Sequence, residues 1–349
     1  MNKISLKILI VFILISTAFY FFSASNTKHS TAIIWNPISQ QHTMEGQPEN
    51  ANRVRYIIEE LKHQKLWNKV AVLQAREATD AELSLAHSKT YINRVKQWAE
   101  EQKDKYLTAE KWSPYNGPHS AISASTAAGG LIQLTEAVAK NEYKNGFAII
   151  RPPGHHATSE KGMGYCIYNN ISIASLNLLN KKLASRILIV DMDAHHGNGI
   201  EEILKGRSDV MYMSFHQQWM FPYTGEKSFE NIQNYNLKFL MPENFHLDLF
   251  NIEVTRVAQN FKPDFILVSA GYDSHWRDFM SNLGLSTNAH ALMSQKLIAL
   301  ADEYSAGKIV FSLEGGYDLE ALANGVSNSI KALLKRDDFI DTIGKAPQN

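Results

Sequence analysis

The chain of 349 residues contains a single cysteine, Cys166, so no internal disulfide framework can form in any compartment. It also lacks a charge imbalance: 35 Lys+Arg stand against 35 Asp+Glu. No global field therefore draws it onto nucleic acid or anionic lipid, and no direct nucleic-acid binding is expected. Internal repeats and low-complexity tracts are missing too, which excludes solenoids and other repeat arrays. Long apolar runs are scarce. The one exception is "ILIVFILISTAFYFF", Ile8 to Phe22, which follows Lys3 and Lys7 and precedes the small, polar "SASNTKHS". That order of basic, apolar and small-residue segments reads as a secretory signal over residues 1–26. Membrane anchoring through residues 8–22 is the alternative, the run being short for a span of about 20 residues. The expected location is thus exported, periplasmic or secreted, or anchored at the membrane. The folded domain should begin near Thr31.

What remains is rich in short buried-strand patterns. "TAIIW" at Thr31, "FAII" at Phe147, "RILIV" at Arg186, "VMYMSF" at Val210, "NLKFLM" at Asn236, "FILVSAG" at Phe265 and "KIVFSLEGG" at Lys308 all read as strands covered on both faces. Between most of them lies helical spacing, as in "NRVRYIIEELKHQ" from Asn52, where Val54, Ile57, Ile58 and Leu61 share one face. Further helices are expected from Ala121, Asn169 and Asn251. Alternating strands and helices predict an α/β chain: a single domain with a central parallel sheet flanked by helices on both faces. Such sheets bind ligands beyond the carboxyl ends of their strands.

Ionisable residues gather at those ends. After "RILIV" comes "DMDAHHGNG", in which Asp193 and His195 are two apart and so point to the same side of an extended backbone. Asp191 shares that parity but lies deeper. Asp273, after "FILVSAG", supplies a second acid. Two carboxylates, one imidazole and an open position suit a catalytic zinc, with Fe(II) the chemical rival. Paired charges at strand ends are the alternative: they are the preferred account of any one of these residues alone and the lesser account of the three together.

The stretch "IIRPPGHHA" places His155 and His156 after another strand. Imidazole titrates near neutrality and suits a general base. Each ring needs a partner on its other nitrogen, and Asp191 and Asn198 can fill that role. Neighbouring residues are expected to point apart. In "SLEGGYDL", Tyr317 could donate a hydrogen bond to a developing oxyanion.

In this order, the stretches "AHSKTYI", "IIRPPGHHA", "GMGYCIYNNISIA", "ILIVDMDAHHGNGIEEIL", "SFH", "FPYTGE", "LVSAGYDSHWRD" and "SLEGGYDL" resemble the histone deacetylase family, in the branch of class II deacetylases and bacterial acetylpolyamine amidohydrolases. The resemblance runs from about residue 31 to 335 and implies the arginase-deacetylase fold, with a catalytic domain over residues 31–340. It further implies a zinc-dependent amidohydrolase acting on an acetylated lysine peptide or acetylated amine. On that resemblance Asp193, His195 and Asp273 hold zinc, and His156 is the base and acid backed by Asn198. His155 pairs with Asp191, and Tyr317 donates to the oxyanion. Gly164, Tyr165 and Phe221 would grip the substrate stem. A structural potassium ion would sit at Asp191, Asp193, His195, Ser214 and Phe215.

Some positions depart from the family pattern. Ser113 aligns with a rim acid, with Asp104 a weaker replacement; Asp278-Phe279 stands for Asp-Pro; and no acidic gatekeeper that would select polyamines follows Asp273. His275 and Trp276 are expected to shape the mouth instead. A binuclear manganese ureohydrolase would need an acid where this chain has Gly197, and a non-catalytic binding module would have no use for the complete set of residues.

Overall fold

The structure, a computed structural model, describes residues 29–101, 105–106 and 113–346. The segment expected to be a signal or anchor, and Asp104, lie outside the described residues. Among the described residues, no helix is long and apolar enough to cross a membrane.

Eight strands form one parallel sheet: β1 (Thr31–Trp35), β2 (Ala71–Gln74), β5 (Asn145–Ala148), β6 (Ile187–Asp191), β7 (Val210–Gln217), β8 (Ile232–Leu237), β9 (Phe265–Ala270) and β10 (Ile309–Leu313). Their spatial order is β2-β1-β5-β10-β9-β6-β7-β8, and every neighbouring pair is parallel. A two-stranded antiparallel ribbon joins β3 (Lys105–Tyr106) to β4 (Tyr115–Asn116).

Both faces of the sheet are covered because both faces are apolar. In β6, Leu188 and Val190 belong to one core cluster, while Ile187 and Ile189 belong to the other. Residues from helices Asn52–His63, Glu243–Phe261, Thr287–Tyr304 and Leu319–Leu333 build the first cluster; helices Lys89–Glu100, Ser120–Ala139 and Asn170–Asn180 contribute to the second. Val54, Ile57, Ile58 and Leu61 are buried, as their spacing requires. Each fully buried side chain of this size contributes about 1.5–3 kcal/mol from apolar burial.

The edges differ from expectation. "NLKFLM" is not the strand; β8 begins earlier, at Ile232, and ends with Leu237, because β7 pairs with it only from Tyr212↔Ile232 to Gln217↔Leu237. The other edge strand, β2, alternates half-buried and exposed residues, so a search for runs buried on both faces passes over it.

Candidate active site

The central strands β5, β10, β9 and β6 are consecutive in the sheet, and their carboxyl ends bring the sequence-distant motifs together. Asp191 closes β6, Asp193 and His195 follow it, and Asp273 lies just beyond β9. Backbone N–H groups pin the acids. Asp191 Oδ1 accepts from Asp193 N (3.1 Å), Asp273 Oδ1 from Ala194 N (2.9 Å) and Asp193 Oδ2 from Gly315 N (2.8 Å). Gly315 cannot carry a side chain here: a Cβ would stand 2.5 Å from Asp273 Oδ2 and 2.6 Å from Asp193 Oδ2.

The remaining capacity of two carboxylates converges on His195. Its Nδ1 lies 3.0 Å from Asp193 Oδ1 and 2.9 Å from Asp273 Oδ2. Burial opposes a charge on this ring, but Asp273 and Asp193 overcome it and push the pKa up to about 10. One ring nitrogen thus faces two buried acids. Asp191, Asp193, Asp273 and Glu314 are all at most 1% exposed, a concentration of negative charge that calls for a cation. Carboxylate oxygens with one imidazole nitrogen, all within 4.8 Å of one another, fit a divalent metal of borderline softness. A second metal acid at position 197 does not fit, because a Cβ on Gly197 would lie 2.3 Å from Tyr212 Oη and 2.4 Å from Asp191 Oδ2.

The two adjacent histidines do not point apart. Their ring centroids are 3.9 Å from each other, since the turn after β5 is not extended backbone. Their outer partners nevertheless differ, as the sequence suggests. His155 Nδ1 faces Asp191 Oδ2 at 3.1 Å, an oxygen that also accepts from Tyr212 Oη at 3.0 Å. Burial disfavours charge on His155, yet Asp193 and Asp191 outweigh it and raise the pKa to about 10. His156 Nδ1 faces Asn198 Oδ1 at 2.8 Å. The amide nitrogen of Asn198 points to His156 O (3.4 Å) and Met163 Sδ (3.5 Å), so Oδ1 is the acceptor and His156 Nδ1 carries the proton. Nε2 of His156 therefore keeps its lone pair. Burial first, then the cations at His155 and His195, hold His156 well below its ordinary pKa.

Gly164, Tyr165 and Phe221 pack around these groups. Gly164 has φ +60°, and a Cβ on it would lie 2.9 Å from His156 Cδ2 and 3.4 Å from Phe221 Cε1. Phe221 meets His156 edge to face at 4.9 Å. Tyr165 packs against Tyr317 at 5.5 Å between ring centroids. Burial pushes the Tyr317 phenol well above its usual pKa, so it is a hydrogen-bond donor at neutral pH. Ser214 and Phe215 are buried within β7, where Ser214 pairs in register with Asp191 at the end of the adjoining strand β6.

Other expectations about the mouth need correction. His275 is 1% exposed; it bonds Thr287 Oγ1 (3.2 Å) and accepts from Arg277 N, inside the fold. Trp276 Nε1 donates to Gly344 O at 2.8 Å, toward the C-terminal segment. The residue of this loop that does stand at the mouth is Phe279, 67% exposed and 6.4 Å from the Tyr317 ring. Ser113 is buried rather than solvent-facing.

The structure also adds residues that the motifs do not single out. Glu314 Oε2 accepts from Gly154 N (2.7 Å) and His155 N (3.2 Å), and burial pushes its pKa up to about 7. Arg53, fully buried, donates to Gly316 O (2.7 Å) and Glu314 O, and its guanidinium lies 5.1 Å from the Tyr317 ring centroid. Glu49 joins Arg53 (3.1 Å) to Arg151 (2.6 Å). No periodicity marks these residues; each lies in a helix, loop or strand end whose neighbours come from elsewhere in the chain.

A family profile described as "Histone deacetylase domain" matches residues 47–333. Histone deacetylase 5 of Arabidopsis thaliana is 32% identical over 337 residues, covering 89% of this chain and 50% of the relative. A probable deacetylase of Archaeoglobus fulgidus is 32% identical over 282 residues, 78% of this chain and 77% of the relative. The chain thus spans about half the length of the plant relative and three quarters of the archaeal one. A solved structure described as "Crystal Structure of HDA15 HD domain" superposes with a TM-score of 0.80 at 29% identity, covering 91% of each chain.

Proposed function

The chain belongs to the histone deacetylase family, and on that premise we propose that it is a zinc-dependent deacetylase that hydrolyses the acetyl amide of an acetylated lysine or small amine. The observation that carries this reading is one arrangement: the donors of Asp193, His195 and Asp273 converge beside His156, whose base nitrogen is freed by Asn198. Zinc is the proposed ion and Fe(II) the rival. When bound, it would polarise the amide carbonyl and acidify water.

The protein's own groups would do the rest. The apolar stem of the substrate would lie beside Gly164, between Phe221 and the Tyr165 side. His156 Nε2 takes a proton from the attacking water and returns it to the departing amine nitrogen, a role worth roughly 10²–10⁴-fold. His155, held charged against Asp191, keeps His156 neutral and ready. Tyr317 donates its phenolic proton as a hydrogen bond to the oxyanion and keeps it. A structural potassium ion at Asp191, Asp193, His195, Ser214 and Phe215 belongs to the same proposal, as do a catalytic domain over residues 31–340 and export or membrane anchoring through the N-terminal segment. An exported enzyme would not meet chromatin, which favours other acetylated lysines or free acetylated amines.

The test is deacetylation of an acetyl-lysine peptide and of N-acetylputrescine by zinc-loaded protein, with Tyr317→Phe alongside. We expect that variant to lose about 10²–10³-fold in kcat with its zinc content intact. Wild-type turnover in Tyr317→Phe removes the oxyanion role. Turnover of the amine alone makes the enzyme an acetylpolyamine-type amidohydrolase. Bound zinc with no turnover of either substrate favours a binding module on the same scaffold.

A further inference from the structure

The loop after β9 carries more than the proposed metal ligand Asp273. Five residues on, Asp278 is 4% exposed and turns back toward the strand end of β10. Its Oδ2 accepts from Tyr317 N at 2.5 Å and from Asp318 N at 3.1 Å, while Oδ1 accepts from Met280 N at 3.0 Å. The backbone just before Tyr317 is held from the other side: Arg53 binds Gly316 O, and Gly315 O accepts from Tyr272 N. The neighbouring Arg277 also reaches Asp318 (3.0 Å) and Glu320 (2.8 Å), but those pairs are solvent-exposed and screened. The Asp278 carboxylate is buried, and its bonds fall on the main chain of Tyr317 itself.

We infer that Asp278 is a positioning residue for the reaction: by fixing the amides of Tyr317 and Asp318, it sets where the Tyr317 phenol stands relative to the reacting carbonyl. The inference rests on the oxyanion role proposed above for Tyr317. It also gives the loop two tasks, one metal ligand and one tyrosine clamp. Ser281 Oγ binds Asp273 O at 2.7 Å, so the loop folds as one piece around both.

Two substitutions separate positioning from mere folding. Asp278→Ser keeps a short side-chain oxygen for the local turn to Met280 N but cannot reach Tyr317. Asp278→Asn keeps one acceptor oxygen of the original reach, enough for Tyr317 N and Asp318 N but not also for Met280 N. The experiment measures kcat, KM, zinc content and thermal unfolding for full-length, zinc-loaded wild type, both variants, Tyr317→Phe and the double variant Asp278→Ser/Tyr317→Phe. The expected result is a kcat loss on the order of 10²-fold in Asp278→Ser, because a small displacement of a catalytic group costs that much. KM and zinc content should stay within about twofold. Asp278→Asn should recover most of the loss, and in the Tyr317→Phe background the serine substitution should cost no further turnover beyond about twofold. Wild-type kcat in Asp278→Ser overturns the inference, as does an equal fractional loss in the Tyr317→Phe background. So does a serine variant that no longer unfolds cooperatively, which would make Asp278 a folding residue. If Tyr317→Phe itself turns over normally, the proposed function fails at the tyrosine and Asp278 is not the cause.

Discussion

At the amino ends of β6 and β9, Asp264 accepts from Ser185 N (2.9 Å) and Arg186 N (3.0 Å), and Arg186 donates to Lys262 O, all at the water's edge. At the carboxyl ends of the same strands, Asp191 and Asp273 are fully buried beside Asp193 and His195. The amino-end acid caps exposed backbone at the solvent edge. The carboxyl-end acids repel one another, and burial raises the pKa of both Asp191 and Asp273. One end of the sheet is built for stability. At the other, buried acids and imidazoles are held close together at a cost in stability, in the arrangement the proposed metal would use.

The largest expected effect breaks that second end. Asp273→Asn should lose zinc and, with it, turnover by about 10³-fold or more. Zinc bound to the folded state should also stabilise wild type against heat, a gain the variant should lack. Thermal unfolding with and without zinc checks the difference. A variant stabilised by zinc as much as wild type would show that Asp273 is not a ligand.

A smaller effect is expected one layer behind the site. Burial alone would raise the Glu49 pKa, but the charge and hydrogen bonds of Arg151, with Arg53, bring it down to about 2 from 4.5. A depressed carboxyl pKa contributes stability that is fully present above pH 4.5 and disappears as pH falls toward 2, worth about 3 kcal/mol in total. Glu49→Gln leaves two buried guanidinium groups without their counter-charge. It should destabilise the protein by about 3–5 kcal/mol at pH 7. Denaturant unfolding from pH 7 down to pH 3 should show the gap between variant and wild type closing with acidity, and a constant gap would contradict the pairing.

The smallest effect belongs to the amino ends. Asp264→Ala should cost about 1–2 kcal/mol, because water replaces the lost acceptor, and should leave kcat unchanged. A drop in turnover there would mean that the two ends are not independent.

Much of the carboxyl end was legible from local pattern. Parity placed Asp193 and His195 on one side, and the apolar runs before them identified strands covered on both faces. The Asp191 and Asn198 partners of the two histidines followed from the need of each ring for a second hydrogen bond. The failures share a physical cause. The His155 and His156 rings meet at 3.9 Å, tilted, because the chain turns where alternation assumes extension. His275 and Trp276 turn inward and to the C-terminal segment, a choice made by Thr287 and Gly344, far along the chain. The edge strands β2 and β8 were missed or misplaced because their limits are set by the neighbouring strand rather than by their own composition.

The sequence alone determined which residues face which side of each strand, since side-chain direction follows from backbone period within a few residues. It also supplied the chemical inventory: acids and imidazoles at strand ends that no apolar core would tolerate uncompensated. Only the tertiary structure decided that β5, β10, β9 and β6 stand side by side, and so that Asp273, Tyr317 and the two histidines meet Asp193 and His195 at all. It likewise decided which histidine faces an acid and which an amide, and that Arg53 holds the backbone before Tyr317 while Asp278 holds that of Tyr317 itself. Those outcomes depend on distances between segments remote in sequence and on the low polarity of what packs around them, and neither is a property of any local stretch.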